Sequence, residues 1–94
     1  IAMSFTYPAI FTPKKNEPGF HVVFPDLECC EAEGPDLEDA LDNAAEALYN
    51  WISVELEDEN GYFPPQTDPE DMDLEEGAFV RNIMTRIKFL PDSD

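Results

Sequence analysis

The two adjacent cysteines, at positions 29 and 30, are the residues in this chain best suited to redox or metal chemistry. Neighbouring residues of a strand point to opposite faces of a sheet, so a strand through Cys29 and Cys30 directs their sulfurs apart. His21 is the only histidine and there is no second cysteine pair, so a zinc ligand set cannot be assembled. Glu28 and Glu31 disfavour the thiolate that a reactive cysteine needs. The pattern predicts packing for both thiols.

Acidic residues near the end of the chain offer a second chemistry, calcium binding. Asp71, Asp73 and Glu75 alternate as ligands of an EF-hand loop do. An EF-hand loop needs glycine at its sixth position, where this chain has Glu76. It also needs a bidentate glutamate at its twelfth position, where this chain has Asn82. The sequence also holds no glycine-rich phosphate loop and no G-x-S-x-G or H-E-x-x-H motif. We therefore expect no catalytic residue, no metal and no cofactor.

Charge is the strongest global feature of the sequence. The 94 residues carry 22 carboxylates against five Lys and Arg, for a formal net charge of -17. Eighteen of the carboxylates lie within residues 28–76, a span without Lys or Arg. Such a surface repels nucleic-acid phosphates, which are bound through Lys and Arg, and attracts a basic partner. For any single carboxylate, a solvated face that only keeps the protein soluble is the alternative.

Length and composition predict one globular domain over residues 1–94. No apolar run approaches the roughly 20 residues that a membrane-spanning helix needs. The start of the chain lacks the basic and apolar regions of a secretory signal. Because the only two cysteines are adjacent, we expect a protein of the reducing cytoplasm.

Alternation of apolar and polar residues predicts four strands. The first two, over about residues 5–12 and 20–25, flank the turn-forming segment KKNEPG and are expected to form a hairpin. The third and fourth are expected over about residues 28–33 and 78–89. Between them, apolar residues recur at helical spacing, which predicts a helix over about residues 37–57.

The element order βββαβ predicts an α+β fold with one helix packed on a small mixed sheet. The first three strands are expected to form an antiparallel meander. A right-handed crossover through the helix would return the last strand parallel to the first and beside it. Aromatic and β-branched residues on both faces of the first two strands indicate that a second chain covers part of the sheet, which predicts a homodimer.

Three segments together resemble the N-terminal domain of HicB antitoxins. They are YPAIFTP from Tyr7 to Pro13, FPDL from Phe24 to Leu27, and ALDNAAEAL from Ala40 to Leu48. The family has Pro-Gly before a single cysteine, where this chain has Glu28 and Cys29. We expect the additional cysteine to replace a bulged turn by a more regular strand start.

The resemblance implies a degenerate ribonuclease H-like sheet without nuclease activity. HicB proteins bind and inhibit HicA, a small basic toxin that cleaves mRNA, and this partner agrees with the acidic charge of the chain. The resemblance thus predicts a non-catalytic antitoxin module that neutralises a HicA-type toxin. The DNA-binding segment of many family members is not found within these 94 residues, so direct nucleic-acid binding is not expected.

Candidate toxin contacts follow from charge and from the expected position of the third strand at a sheet edge. They are Asp26, Glu28, Glu31, Glu33, Asp39, Asp42 and Glu46. One alternative function is a stand-alone RNA- or nucleotide-binding protein of the same fold, and another is an orphan oligomeric module. The RNA-binding alternative would use the aromatic residues together with Lys14, Lys15, Arg81, Arg86 and Lys88.

Overall fold

The computed structural model of the chain describes residues 1–88. The elements, in chain order, are β1 (Ala2–Pro13), β2 (Phe20–Val23), β3 (Glu31–Gly34), α1 (Leu37–Glu57), a 3-10 turn (Pro69–Asp71) and β4 (Phe79–Lys88). The strands form one sheet in the order β3-β2-β1-β4, and α1 packs on one of its faces. This is the α+β fold that the sequence predicts. The predicted end of the last strand, Phe89, lies outside the described residues.

The direction of β4 differs from the prediction. β4 pairs antiparallel with β1, from Ala2 opposite Lys88 to Phe11 opposite Phe79, and the other two strand pairs are antiparallel as well. The predicted mixed sheet, with its last strand parallel to the first, is therefore wrong. The cause is the connection 58–78. After α1 has crossed the sheet once, this segment returns along β1, so β4 starts at the end of the sheet where α1 also starts.

Hydrogen bonds to β1 hold the returning connection. The Tyr7 hydroxyl donates to the Pro64 carbonyl at 2.6 Å, and the Gln66 side-chain amide donates to the Thr6 carbonyl at 2.8 Å. Burial of the ring raises the pKa of Tyr7, with a smaller contribution from the nearby Asp26 carboxylate. The hydroxyl therefore keeps its proton and remains a donor through the neutral range.

The face of the sheet away from α1, which we call the open face, is partly covered by the same connection. Pro8 lies on this face and is buried. It lines one cavity with Gln66 and with Asn82, its partner on β4. The chain therefore shields part of the open face itself, a cover that the sequence did not predict.

The core lies between α1 and the inner face of the sheet. The helix contributes one stripe at helical spacing, the fully buried Ala40, Ala44, Leu48 and Ile52. β1 contributes the alternating residues Tyr7, Ala9 and Phe11. A Cβ at Gly34 would lie 2.4 Å from the backbone nitrogen of Ala40, so β3 and α1 approach at backbone distance. Small residues at this crossing thus fix how closely the edge strand sits against the helix.

The helix occupies Leu37–Glu57, the range that the sequence predicts. Asp36 is its N-cap, and the Asp36 carboxylate accepts the backbone N–H of Asp39 at 2.8 Å. Glu38 and Asp39 lie in the first turn, where the helix dipole favours negative charge.

The segment between β2 and β3 is a compact turn rather than strand. The backbone N–H of Phe24 donates to the Cys30 carbonyl, and that of Cys30 donates to the Leu27 carbonyl. β2 therefore ends at Val23 and β3 begins only at Glu31, so the predicted strand ranges 20–25 and 28–33 were too long.

Cys29 takes a left-handed backbone conformation in this turn, with φ of 60°. The more regular strand start expected from the additional cysteine is therefore wrong. The turn persists, and a residue with a Cβ occupies a position that suits glycine. For an L-residue this conformation costs roughly 1–2 kcal/mol. Cys30 is buried in the core whereas Cys29 is exposed, so the prediction that both thiols pack is confirmed for Cys30 and wrong for Cys29.

We predict that Cys29→Gly stabilises the fold by about 0.5–1 kcal/mol, since relief of the strain exceeds the added flexibility of the unfolded chain. The measurement is urea denaturation followed by circular dichroism. Cys29→Ala is the matched control, because it removes the thiol and keeps the Cβ, and it should leave the unfolding free energy nearly unchanged. Equal stabilisation by both variants would show that the thiol, and not the backbone, is the source of the effect.

Candidate partner-binding surface

β3 forms one edge of the sheet and presents two carboxylates. Glu31 pairs with Val23 and Glu33 pairs with His21, which places both glutamate side chains on the open face. Both glutamates are exposed. The structure thus brings together two of the predicted contact residues on the edge strand that the sequence proposed.

Side chains of α1 occupy part of the backbone at this edge. Asn43 donates to the Glu33 carbonyl at 2.8 Å, and the indole N–H of Trp51 donates to the Glu28 carbonyl at 2.9 Å. Backbone groups of alternate strand residues point to the same side, so those of Glu31 also point outward. Few outward backbone N–H and C=O groups of β3 therefore remain unpaired. This edge suits contact with side chains of a partner better than pairing with a long partner strand.

A shallow cavity of about 310 Å³ lies between the turn and α1. Its lining includes Cys29, Trp51 and Val54 together with Glu31 and Glu55, and the Glu55 carboxylate accepts the backbone N–H of Tyr62 at 2.9 Å. Val54 is 65 % exposed and is accessible to a partner. Apolar walls beside carboxylates suit an apolar side chain flanked by a cation. Sequence reasoning missed this cavity, because it depends on how α1 lies against the turn between β2 and β3.

Glu33 already has a cationic partner in the chain. The Lys14 ammonium lies 2.7 Å from the Glu33 carboxylate and 3.3 Å from that of Glu17. The hydrogen bond to Glu33 raises the pKa of Lys14, and the same bond lowers the pKa of Glu33. A basic partner must therefore compete with Lys14 for Glu33, whereas no such competition was foreseen from the sequence.

Asp26 has a role within the chain. Its carboxylate accepts the backbone N–H of Thr67 at 2.9 Å and also the Thr67 hydroxyl. These bonds tie the turn after β2 to the connection 58–78. Sequence reasoning could not find this role, since the two residues are 41 positions apart.

The predicted helix carboxylates Asp39, Asp42 and Glu46 are exposed and lie on the solvent side of α1, three to four residues apart. They therefore belong to the helix layer, whereas Glu31 and Glu33 project on the open face. The two groups flank the β3 edge from opposite layers, and a partner must wrap around this edge to meet both. We call Glu28, Glu31, Glu33, Asp39, Asp42 and Glu46 the β3–α1 surface.

The cysteines differ in environment. Cys30 is buried in the core, and burial together with the neighbouring Glu31 charge raises the pKa of its thiol to about 11. Cys29 is exposed, and both thiols are free. Within residues 1–88, no group of three or more His, Cys, Asp or Glu side chains is arranged to hold a metal ion. In the same range, no helix has the length and apolarity needed to cross a membrane.

The basic residues do not form one patch. Lys14 follows β1 at its Pro13 end, whereas Arg86 and Lys88 pair with Ser4 and Ala2 at its opposite end. At a rise of about 3.3 Å per residue, these ends lie on the order of 30 Å apart. The set of cations that an RNA-binding function would need is therefore divided between the two ends of the sheet.

The described residues thus form an acidic α+β domain with an exposed edge strand backed by a helix. The sequence profile of the HicB-like antitoxin of bacterial toxin-antitoxin systems matches residues 7–89. The chain belongs to this family.

Three solved structures share the fold. A toxin-antitoxin complex from Streptococcus pneumoniae aligns with a TM-score of 0.75 at 24 % identity, over 87 % of this chain and 69 % of that chain. The N-terminal domain of Burkholderia pseudomallei antitoxin HicB gives 0.68 at 17 % identity, over 84 % and 95 %. A chain of the HicA3 and HicB3 toxin-antitoxin complex gives 0.63 at 29 %, also over 84 % and 95 %. A search of curated proteins finds no match.

We predict that Glu33 titrates below the usual glutamate pKa of about 4.3 and that Lys14→Ala raises its pKa. Because the folded-state pKa is lowered, the stabilising contribution is complete above the unfolded value and is lost as pH falls through the lowered one. Carboxyl carbon shifts in an NMR pH titration measure both values. Lys15→Ala removes the same charge from the same loop and is the control. An equal shift in both variants would contradict the direct ion pair.

Proposed function

We propose that the chain is the antitoxin module of a toxin-antitoxin pair, which binds and neutralises a small, basic, HicA-type toxin that cleaves mRNA and catalyses no reaction itself. The observation that carries the proposal is the β3–α1 surface, six carboxylates on an edge strand, its preceding turn and the adjoining helix. Membership in the HicB-like antitoxin family supports it. Two of the similar structures are toxin-antitoxin complexes.

The proposed inhibition follows from competition for the same cations. A ribonuclease that acts on mRNA must hold phosphates through Lys and Arg. Carboxylates of the β3–α1 surface attract these same groups, so a toxin bound here has its RNA-binding surface covered. Exposed charges of this kind mainly raise the rate of association and select the partner.

Lasting affinity requires contact that excludes water. The cavity beside Trp51 and Val54 can take an apolar side chain of the toxin, while the exposed Glu31 carboxylate on the adjoining edge pairs with a cation of the toxin. The Lys14–Glu33 ion pair would exchange for a pair with the toxin, so Glu33 contributes less net affinity than Glu31.

We further propose that the protein acts in the cytoplasm and as a homodimer. The cysteine usage of the chain, with only two cysteines and these adjacent, supports a reducing compartment. The RNA-binding alternative gains no support, because Lys14 lies at one end of the sheet and Arg86 and Lys88 lie at the other.

The test uses a purified small basic toxin of the HicA type as the probe. We predict that the double variant Glu31→Lys, Glu33→Lys weakens its binding about tenfold or more and reduces the salt dependence of association. Isothermal titration calorimetry and stopped-flow kinetics at two salt concentrations measure both effects.

The matched control is Glu70→Lys, Asp71→Lys in the 3-10 turn. It makes the same change in net charge at exposed positions away from the β3–α1 surface. The control should weaken binding less than threefold. Equal losses of affinity in the two variants would show that only net charge matters and would reject this surface. If the wild-type chain does not bind the toxin, the toxin is rejected as its partner.

A further inference from the structure

The hairpin loop between β1 and β2 lies against the end of β3. Gly19 has a φ of 117°, and a Cβ at this position would lie 2.3 Å from the Gly34 carbonyl oxygen. Glycine permits this close approach, because any side chain would collide with the backbone of β3. The loop is also closed on itself, since the backbone N–H of Lys14 donates to the Gly19 carbonyl at 3.0 Å. Contact with β3 therefore fixes the loop beside the β3–α1 surface.

Lys14 lies between two carboxylates, one on the loop and one on β3. Its ammonium is 2.7 Å from Oε1 of Glu33 and 3.3 Å from Oε1 of Glu17. Both ion pairs found within residues 1–88 belong to this lysine, and only 10 % of its side chain is exposed. The Glu33 side chain, by contrast, is 62 % exposed and open to a partner.

The ammonium of Lys14 has room to leave Glu33 without losing its other ion pair. A cavity of about 540 Å³ includes Lys14, Glu17 and Glu33 in its lining. Because Lys14 already contacts both carboxylates, a short movement away from Glu33 leaves it paired with Glu17. The structure thus holds a second carboxylate ready for the lysine.

The chemistry of the arriving cation decides whether Lys14 must move. The guanidinium of arginine binds a carboxylate through two parallel hydrogen bonds, one to each oxygen. Since Lys14 already occupies Oε1 of Glu33, an arginine of the toxin has to displace it. A lysine of the toxin has no such advantage, because it would only exchange one ammonium for another. The geometry therefore favours an arginine at Glu33.

We propose that Glu33 receives an arginine of the toxin and that Lys14 is handed over to Glu17 as this arginine binds. The inference rests on the proposed function and adds Glu17, which lies outside the β3–α1 surface, as a residue that determines toxin affinity. Glu17 is a positioning residue, since it acts by keeping Lys14 paired after Glu33 has been taken. In the free chain, Lys14 fills the place of the toxin's cation and so rejects cations that cannot displace it.

The first experiment measures the affinity of a purified HicA-type toxin by isothermal titration calorimetry. Four forms of the chain are compared, the wild type, Lys14→Met, Glu17→Gln and the double variant. Lys14→Met should strengthen binding about fivefold, because Glu33 is then free. Glu17→Gln should weaken binding about fivefold when Lys14 is present and less than about twofold when it is absent. A plain charge effect of Glu17 would be equal in both backgrounds, so the cycle isolates the hand-over.

The matched control is Lys15→Met, which removes the same charge from the same loop at an exposed position. It should strengthen toxin binding less than about twofold, since only long-range attraction changes. Equal strengthening by Lys14→Met and Lys15→Met would show that net charge, and not the release of Glu33, is the cause. That result would overturn the proposal.

The second experiment follows Lys14 directly by NMR of the chain with and without the toxin. In the free chain, its Hε protons should give nuclear Overhauser contacts to the Hγ protons of both Glu17 and Glu33. In the complex, the contact with Glu33 should disappear and the contact with Glu17 should remain. Persistence of both contacts would show that the toxin's cation shares Glu33 with Lys14, which would overturn the hand-over.

Failure of the hand-over and failure of the proposed function give different results. If neither the wild-type chain nor any variant binds the toxin, both are rejected. If the toxin binds but Glu17→Gln has the same effect with and without Lys14, the hand-over alone is rejected and toxin binding stands. Circular dichroism of each variant verifies that the chain remains folded.

Discussion

The direction of β4 depends on how the connection 58–78 is held, and both edges of the molecule follow from it. Hydrogen bonds from Tyr7 and Gln66 join this segment to β1, and Asp26 joins it to the turn after β2. Held in this way, the chain returns to the end of the sheet where α1 begins. β4 then runs antiparallel to β1 and takes the outer position.

This arrangement separates the charges of a strongly acidic protein. β3 and α1 carry carboxylates at one edge, whereas β4 carries three of the five basic residues at the other edge. The two edges therefore attract partners of different charge. The proposals for toxin binding and for the hand-over of Lys14 both use the β3 edge.

Sequence periodicity predicted the helix and the faces of β1 and β4, because long amphipathic segments carry a strong signal. It could not predict the direction of β4, since the connection 58–78 has no periodicity and is long enough to end at either end of the sheet. Around Cys29, the alternation from Leu27 to Glu33 imitates a strand, and a cysteine gives no sign of a left-handed conformation.

The candidate site likewise contains features that the sequence predicted and features that it could not predict. The glutamates of β3 were predicted from their charge and from the expected strand order, and the structure confirms only that β3 lies at an edge and that both side chains are exposed. The intrachain partner of Asp26 is 41 residues away, and the contacts of Asn43 and Trp51 with the edge depend on how α1 crosses the sheet. Tertiary contacts of this kind have no signature in a single sequence.

Hydrogen–deuterium exchange of the chain, with and without a HicA-type toxin, would show whether the β3–α1 surface binds the toxin. We expect slower exchange on binding in residues 28–34 and 43–54, with no change in Phe79–Lys88. Slower exchange confined to Phe79–Lys88, with residues 28–34 unchanged, would contradict it.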